Sequence, residues 1–169
     1  MGSTRDADFA EYFVARASML RRTAFVIVQD WHTAEDVTQR AFVKLYAAWQ
    51  RVSAPGRDAY ARRVVVNEAL THLRRRPPEV PTDSPPDLVA SDPPAEAPFD
   101  LVRALALLTP QQRAVVALRY INDLSVGETA EMLRIAEGTV RAHASRALDT
   151  LRRRLPDLIS TTLTTEETP

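Results

Sequence analysis

The chain of 169 residues contains no cysteine. This excludes disulfides and thiolate metal sites and agrees with a cytoplasmic protein. Only four glycines are present, and none sits in a glycine-rich loop of the kind that cradles phosphates. The three histidines, His32, His72 and His143, lie far apart. His32 and Asp36 have the i,i+4 spacing of a helical ligand pair. No HExxH pattern or clustered ligand joins them, so neither a metal nor another cofactor is expected, and enzyme chemistry has little to stand on. No run approaches the roughly 18 apolar residues of a membrane span, and with a polar N-terminus no secretory signal is expected. Lysine is nearly absent: Lys44 is the only one, and arginine supplies the remaining positive side chains.

What the chain does have is uneven charge and strong helical patterning. A hydrophobic content of 45% supports packed cores. The 22 basic and 22 acidic residues cancel overall, but not locally. Residues 1–76 hold 13 basic and 8 acidic groups, residues 77–98 hold five acidic and no basic ones, and residues 99–155 hold nine basic and six acidic. Two basic blocks flank an acidic strip, and the zero average hides two surfaces suited to a polyanion. The strip 77–98 also carries eight of the twelve prolines. It has too few large apolar residues to offset its ordering entropy and is predicted to be a flexible linker. The expected architecture is all-α: two small helical domains, 1–76 and 99–155, joined by this Pro-rich acidic linker. The threonine-rich tail 156–169 is expected to fray.

Three helices are predicted before the linker. The first covers about 6–28, with Phe9, Phe13, Leu20, Ala24 and Val28 on one side. The second covers about 33–52, with Val37, Ala41, Leu45, Ala48, Trp49 and Val52 on one stripe. The third covers about 58–75 and stops at Pro77-Pro78. After the linker, Thr109-Pro110-Gln111-Gln112 has the residues of a helix start: Thr to cap, Pro at the first position, Gln at the third. That helix is predicted to run through Tyr120. Ser125-Val126-Gly127-Glu128 is a second capping box, opening a short helix that ends near Leu133. Arg134-Ile135-Ala136 makes a tight turn, and a longer helix begins at Glu137. Its apolar positions Val140, Ala144, Ala147, Leu148, Leu151 and Leu155 keep helical spacing. Two helices joined by such a turn, the second with a polar outer face, form a helix-turn-helix, which seats a helix in a major groove.

At this point the two halves resemble one known family. Ala34-Glu35-Asp36-Val37-Thr38-Gln39-Arg40-Ala41-Phe42 is similar to region 2.2 of bacterial RNA polymerase sigma factors. The helix from Tyr60 through Asn67 to Arg76 resembles regions 2.3 and 2.4. The C-terminal helices, with Glu137-Gly138-Thr139-Val140-Arg141, resemble region 4. Two such domains and a short linker resemble the extracytoplasmic-function (ECF) group of the sigma-70 family. The resemblance implies a sigma factor that brings core polymerase to promoters and performs no chemistry itself. Region 2.2 would dock on the β′ clamp helices, regions 2.3 and 2.4 would hold the −10 non-template strand, and region 4 would read the −35 duplex and touch the β flap. An anti-sigma protein is a candidate further partner, and no membrane is expected.

The residues themselves leave alternatives beside each role. Glu35, Asp36 and Gln39 are the docking candidates, yet Thr33 and Asp36 also have capping-box spacing. Arg40 stands where the family usually shows an acidic residue. Arg63, Asn67, Thr71 and Arg74 share one stripe and suit phosphates or a splayed base, though a solvated basic face explains the arginines equally well. Tyr60 is read as core. On the last helix, Arg141 is the candidate for a guanine contact. Glu137 suits a cytosine amino group or the helix dipole, Thr139 and Arg146 suit phosphates, and Ala142 and Ser145 complete the outer face. Ala136 stands where the family usually offers a Ser cap, and Arg134 where many such turns place Gly. A LuxR-type regulator shares similar effector helices but usually carries an α/β receiver or ligand domain upstream, and the helical 1–76 argues against it. A purely protein-binding adaptor would not need basic stripes on two domains.

Overall fold

The computed structural model describes residues 2–76 and 99–155. The linker 77–98 and tail 156–169 fall outside the described residues. Every regular element among the described residues is helical, in agreement with the expected all-α class. The chain divides into two compact units.

The first unit contains α1 (Gly2–Val28), α2 (Trp31–Ala48), a short 3-10 turn (Ala54–Gly56) and α3 (Arg57–Arg75). Each helix packs on the other two. Leu20, Ala24, Ile27 and Val28 of α1 meet Val37, Ala41 and Leu45 of α2 and Ala61, Val65, Val66 and Ala69 of α3 in the core. These residues recur at helical spacing, so one stripe per helix is dry and the opposite face is left to solvent.

Three details differ from the sequence reading. First, α2 begins at Trp31, not Thr33, because Asp30 is its cap: the Asp30 carboxylate accepts from the Thr33 N–H at 2.7 Å. Trp31 is held by an edge contact to Phe25 at 5.6 Å and by the Arg21 guanidinium 4.6 Å above its ring. The Thr33–Asp36 capping box therefore does not form. Second, α2 stops at Ala48, where the N–H groups of Arg51 and Val52 both turn back to the Ala48 carbonyl. Third, Phe13 is 43% exposed and makes a ring contact with Phe42, at 4.6 Å. Steps of four residues overshoot a 3.6-residue turn, so Tyr12 and Arg16, not Phe13, continue the inward row below Phe9.

The second unit contains α4 (Phe99–Ala106), α5 (Pro110–Val116), a π turn (Ala117–Ile121), α6 (Val126–Leu133) and α7 (Glu137–Arg154). Both capping boxes form as expected, at Thr109/Gln112 and Ser125/Glu128. Helix α4 was not foreseen; it buries Val102, Ala104 and Leu105. The expected α-helix to Tyr120 ends at Val116 and widens into the π turn. There the backbone and side-chain amides of Asn122 both donate to the Ala117 carbonyl, at 3.1 and 2.8 Å, a bond spanning five residues. Arg134 closes α6 in the left-handed region at φ 56°. Ala136 precedes α7 with no side-chain cap, and its carbonyl accepts from Thr139 and Val140 at 3.0 and 3.1 Å. Val140 is fully buried against Val115 and Ala130, with Val126, Leu133, Ile135 and Ala144 packed around them.

Because Asp30 and not Asp36 caps α2, Asp30→Ala is expected to cost about 1 kcal/mol of stability and Asp36→Ala nearly none, measured by urea unfolding. Arg134→Gly is expected to raise stability by up to about 1 kcal/mol, since glycine accepts positive φ without the Cβ clash.

Candidate nucleic-acid interface

Helix α7 is rotated by its buried stripe. With Val140, Ala147 and Leu151 turned inward, Glu137, Gly138, Thr139, Arg141, Ala142, Ser145 and Arg146 are all exposed. All six residues expected on this face are therefore present on one solvent surface. A Cβ placed on Gly138 would meet nothing within 4 Å, so the first turn offers a smooth approach to a close-lying groove. Arg141 Nη2 donates to Glu137 Oε2 at 3.0 Å. The last turn adds exposed Arg152, Arg153 and Arg154. Not every arginine of this unit is available. Arg113 is buried, donates to the Leu108 carbonyl at 2.7 Å, and is pulled down from the usual arginine pKa by desolvation. It ties α5 to the preceding turn.

On α3, burial of Ala61, Val65, Val66 and Ala69 leaves Arg63, Asn67 and Arg74 exposed, with Thr71 half-buried among them. Arg74 reaches back to the Thr71 hydroxyl at 3.4 Å. Tyr60 is half-buried. Immediately after Asn67, Glu68 pairs with Lys44 of α2, so the single lysine faces a carboxylate instead of adding to the arginine stripe.

On α2, Asp36 and Gln39 are exposed, but Glu35 is half-buried and lies 3.8 Å from Arg21 of α1. The trio is thus split: Asp36 and Gln39 share their strip with Arg40 and Val43, at i, i+3, i+4 and i+7. Val43 is 70% exposed. It was not singled out from sequence, although it lies off the Val37, Ala41, Leu45 stripe and its exposure follows from that periodicity.

A polar knot fixes α1 against the start of α3. The Tyr12 hydroxyl donates to Asp58 Oδ1 at 2.9 Å, Arg16 Nε donates to the same oxygen at 3.1 Å, and Arg16 also ion-pairs with Asp58 at 3.0 Å. Burial, and then the hydrogen bond to Asp58, hold the Tyr12 phenol well above its ordinary pKa. Next to it, the Arg57 guanidinium lies 3.7 Å over the Trp49 ring, whose edges meet Phe9 and Tyr12 at 5.1 and 5.2 Å. This cluster sets the direction in which α3 leaves the turn, and hence where its arginine stripe points.

Among the described residues, no group of three or more His, Cys, Asp or Glu side chains could hold a metal ion. No helix among them is long and apolar enough to cross a membrane.

Comparison with known proteins covers both units. The Sigma-70 region 2 family matches residues 13–77, and the Sigma-70, region 4 family matches residues 99–151. The chain is 38% identical over 167 residues to an RNA polymerase sigma-E factor of Streptomyces avermitilis, covering 95% of this chain and 93% of the relative. It is 30% identical over 151 residues to the ECF RNA polymerase sigma factor SigM of Mycobacterium tuberculosis, covering 87% of this chain and 76% of the relative. The chain belongs to the ECF group of the sigma-70 family. A solved structure of the sigma factor RpoE from Bartonella quintana, in complex with the anti-sigma factor NepR, has a similar fold, with TM-score 0.73 at 24% identity, covering 89% of this chain and 98% of that one. A sigma factor directs core RNA polymerase to promoters at transcription initiation. The upstream unit matches a sigma region, so the LuxR-type alternative is not supported.

The Tyr12–Asp58 hydrogen bond predicts an alkaline limit. A phenol whose folded-state pKa lies above its unfolded value, near 10, favours folding while protonated. That contribution is present below about pH 10 and is lost as pH rises further. Tyr12→Phe is expected to flatten this part of the stability profile, and Asp58→Ala to move Tyr12 titration back toward its usual range, both read by tyrosinate absorbance and unfolding against pH.

Proposed function

We propose that the two exposed faces divide the work of initiation between the units. Residues 1–76 form the region 2 domain. Its α2 strip, Asp36 and Gln39 with Glu35 beside them and Val43 at the apolar end, docks on the β′ clamp helices. On α3, Arg63 and Arg74 neutralise phosphates, while Asn67 and Thr71 hydrogen-bond the −10 non-template strand. Residues 99–155 form the region 4 domain, in which Arg141, Ala142 and Ser145 face base edges of the −35 duplex, Glu137 stands beside Arg141, and Thr139 and Arg146 contact phosphates. Region 4 also touches the β flap. Residues 77–98 link the domains, and the tail 156–169 has no assigned role.

The observation that carries this reading is the pair of separate polar helix faces, on α3 and α7, each opposite a fully dry stripe. The geometry suits two DNA forms. A single exposed helix with a glycine-smoothed first turn fits a major groove. A row of arginine with amide and hydroxyl groups fits an unpaired strand. Opening requires unstacking at roughly a few kcal/mol per flipped base, recovered along the α3 face. The chain supplies no catalytic groups of its own and acts in the cytoplasm beside core polymerase. An anti-sigma partner is also proposed, on the strength of the RpoE–NepR complex.

Free protein is expected to bind promoter duplex weakly, and added core polymerase to bring specific binding and run-off transcription. Tight specific binding by the free chain would count against this division of labour. Asp36→Arg is expected to weaken core binding with the thermal midpoint unchanged, because Asp36 is not a cap; core binding that only follows stability would remove the docking role. Arg141→Ala is expected to cost about 1–3 kcal/mol on the preferred −35 sequence and to relax choice at one or two base pairs. Arg146→Ala is expected to weaken all sequences alike and lower the salt slope by about one ion. Asn67→Ala is expected to spare −35 binding and impair opening, read from a fluorescent base in the −10 element.

A further inference from the structure

Glu137 pairs with Arg141 and lies beside the first turn of α6. Its Oε2 accepts from Arg141 Nη2 at 3.0 Å. Its Oε1 lies against the first turn of α6, only 3.4 Å from the position a Cβ would take on Gly127. The carboxylate therefore lies between the helix that supports the turn and the arginine on the outer face. Both side chains are open to water, at 63% for Arg141 and 54% for Glu137. Exposed pairs of this spacing add little stability. A positional effect is different in kind, because a long arginine that starts in one rotamer loses less entropy when it binds.

We propose that Glu137 is a positioning and specificity residue. It orients the Arg141 guanidinium toward a base edge and does not itself read a base. This rests on the base-reading role given above to Arg141. Two physical consequences follow. Without Glu137, Arg141 swings freely and can satisfy itself on a phosphate, which carries no sequence information. The Glu137 charge also repels nearby phosphates, so its removal favours every DNA sequence equally. Discrimination should fall while non-specific affinity holds or rises.

The test uses holoenzyme on the preferred −35 duplex and on single-base-pair variants, comparing wild type with three single and two double variants. Glu137→Gln keeps the shape and removes the charge. Glu137→Asp keeps the charge at the α7 N-terminus and shortens the reach to Arg141. Arg141→Ala removes the reader, and the double variants Glu137→Gln/Arg141→Ala and Glu137→Asp/Arg141→Ala close the cycle. Both Glu137 variants are expected to lower discrimination about threefold to tenfold at the base pair that Arg141→Ala relaxes, with binding to non-preferred DNA equal or tighter. Neither is expected to change discrimination further in the Arg141→Ala background. A loss at another base pair, or one that persists without Arg141, makes Glu137 a reader in its own right and overturns the proposal. Wild-type discrimination in Glu137→Asp, with loss only in Glu137→Gln, reduces Glu137 to a dipole charge and also overturns it. If Arg141→Ala itself leaves base choice intact, the base-reading role fails and the positioning role falls with it.

Discussion

The contact of Val140 with Val115 and Ala130 is the constraint on which the DNA-reading half depends. A helix can rotate about its own axis without losing a backbone hydrogen bond, so only side-chain burial decides which residues face outward. Seating Val140, Ala147 and Leu151 in the core commits Arg141, Ala142 and Ser145 to solvent. Fully burying a valine or leucine is worth about 1.5–3 kcal/mol, more than a surface ion pair supplies. The left-handed Arg134 and the uncapped Ala136 are tolerated because this packing outweighs their local cost.

The same logic orders the upstream unit, where no disulfide is available to assist it. Its helices are long, and α1 alone runs 27 residues. Periodic drift means one apolar stripe cannot stay inward along that whole length. Toward its N-terminal half, apolar burial gives way to rings and charges: Phe9, Tyr12 and Trp49 edge to face, Arg57 above Trp49, and Asp58 shared by Tyr12 and Arg16. Such mixed contacts are directional, unlike hydrophobic burial. They orient the beginning of α3 and, through a rigid helix, the stripe that carries Asn67.

Charge shows how tertiary structure edits composition. The excess of basic groups in residues 1–76 and 99–155 suggests two polyanion surfaces, but the fold withdraws several members. Lys44 is paired with Glu68, Arg16 with Asp58, and Arg113 is buried on a carbonyl. Exposed arginines remain on both candidate faces, Arg63 and Arg74 on α3 and Arg141 and Arg146 on α7, with Arg152, Arg153 and Arg154 at the end of α7. Localised charge is what lets a basic surface favour one orientation on nucleic acid over sliding contact alone.

The helix-turn-helix was legible in the sequence because its determinants are local. A cap and its partner lie three residues apart, so both boxes, at Thr109 and Ser125, could be read directly. The stripe of α7 lies within one element, so its outer face was readable as well. The all-α class followed from helical apolar spacing and the lack of any strand alternation. The rest depended on contacts that apolar spacing does not report, some of them between residues distant in sequence. The inward row of α1 continues through Tyr12 and Arg16, whose polar ends are held by Asp58, more than forty residues away. Where α2 starts was decided by the Asp30 cap on Thr33, with Trp31 seated against Phe25 and Arg21, which left Asp36 out of capping. Where α5 gives way to a π turn was decided by Asn122 claiming the Ala117 carbonyl. That Glu35 faces Arg21 depends on α1 lying against α2. Local spacing determined which helices form and which face of each is wet. Only the packing of one helix on another decided which of the wet polar groups are paired and which are free to bind.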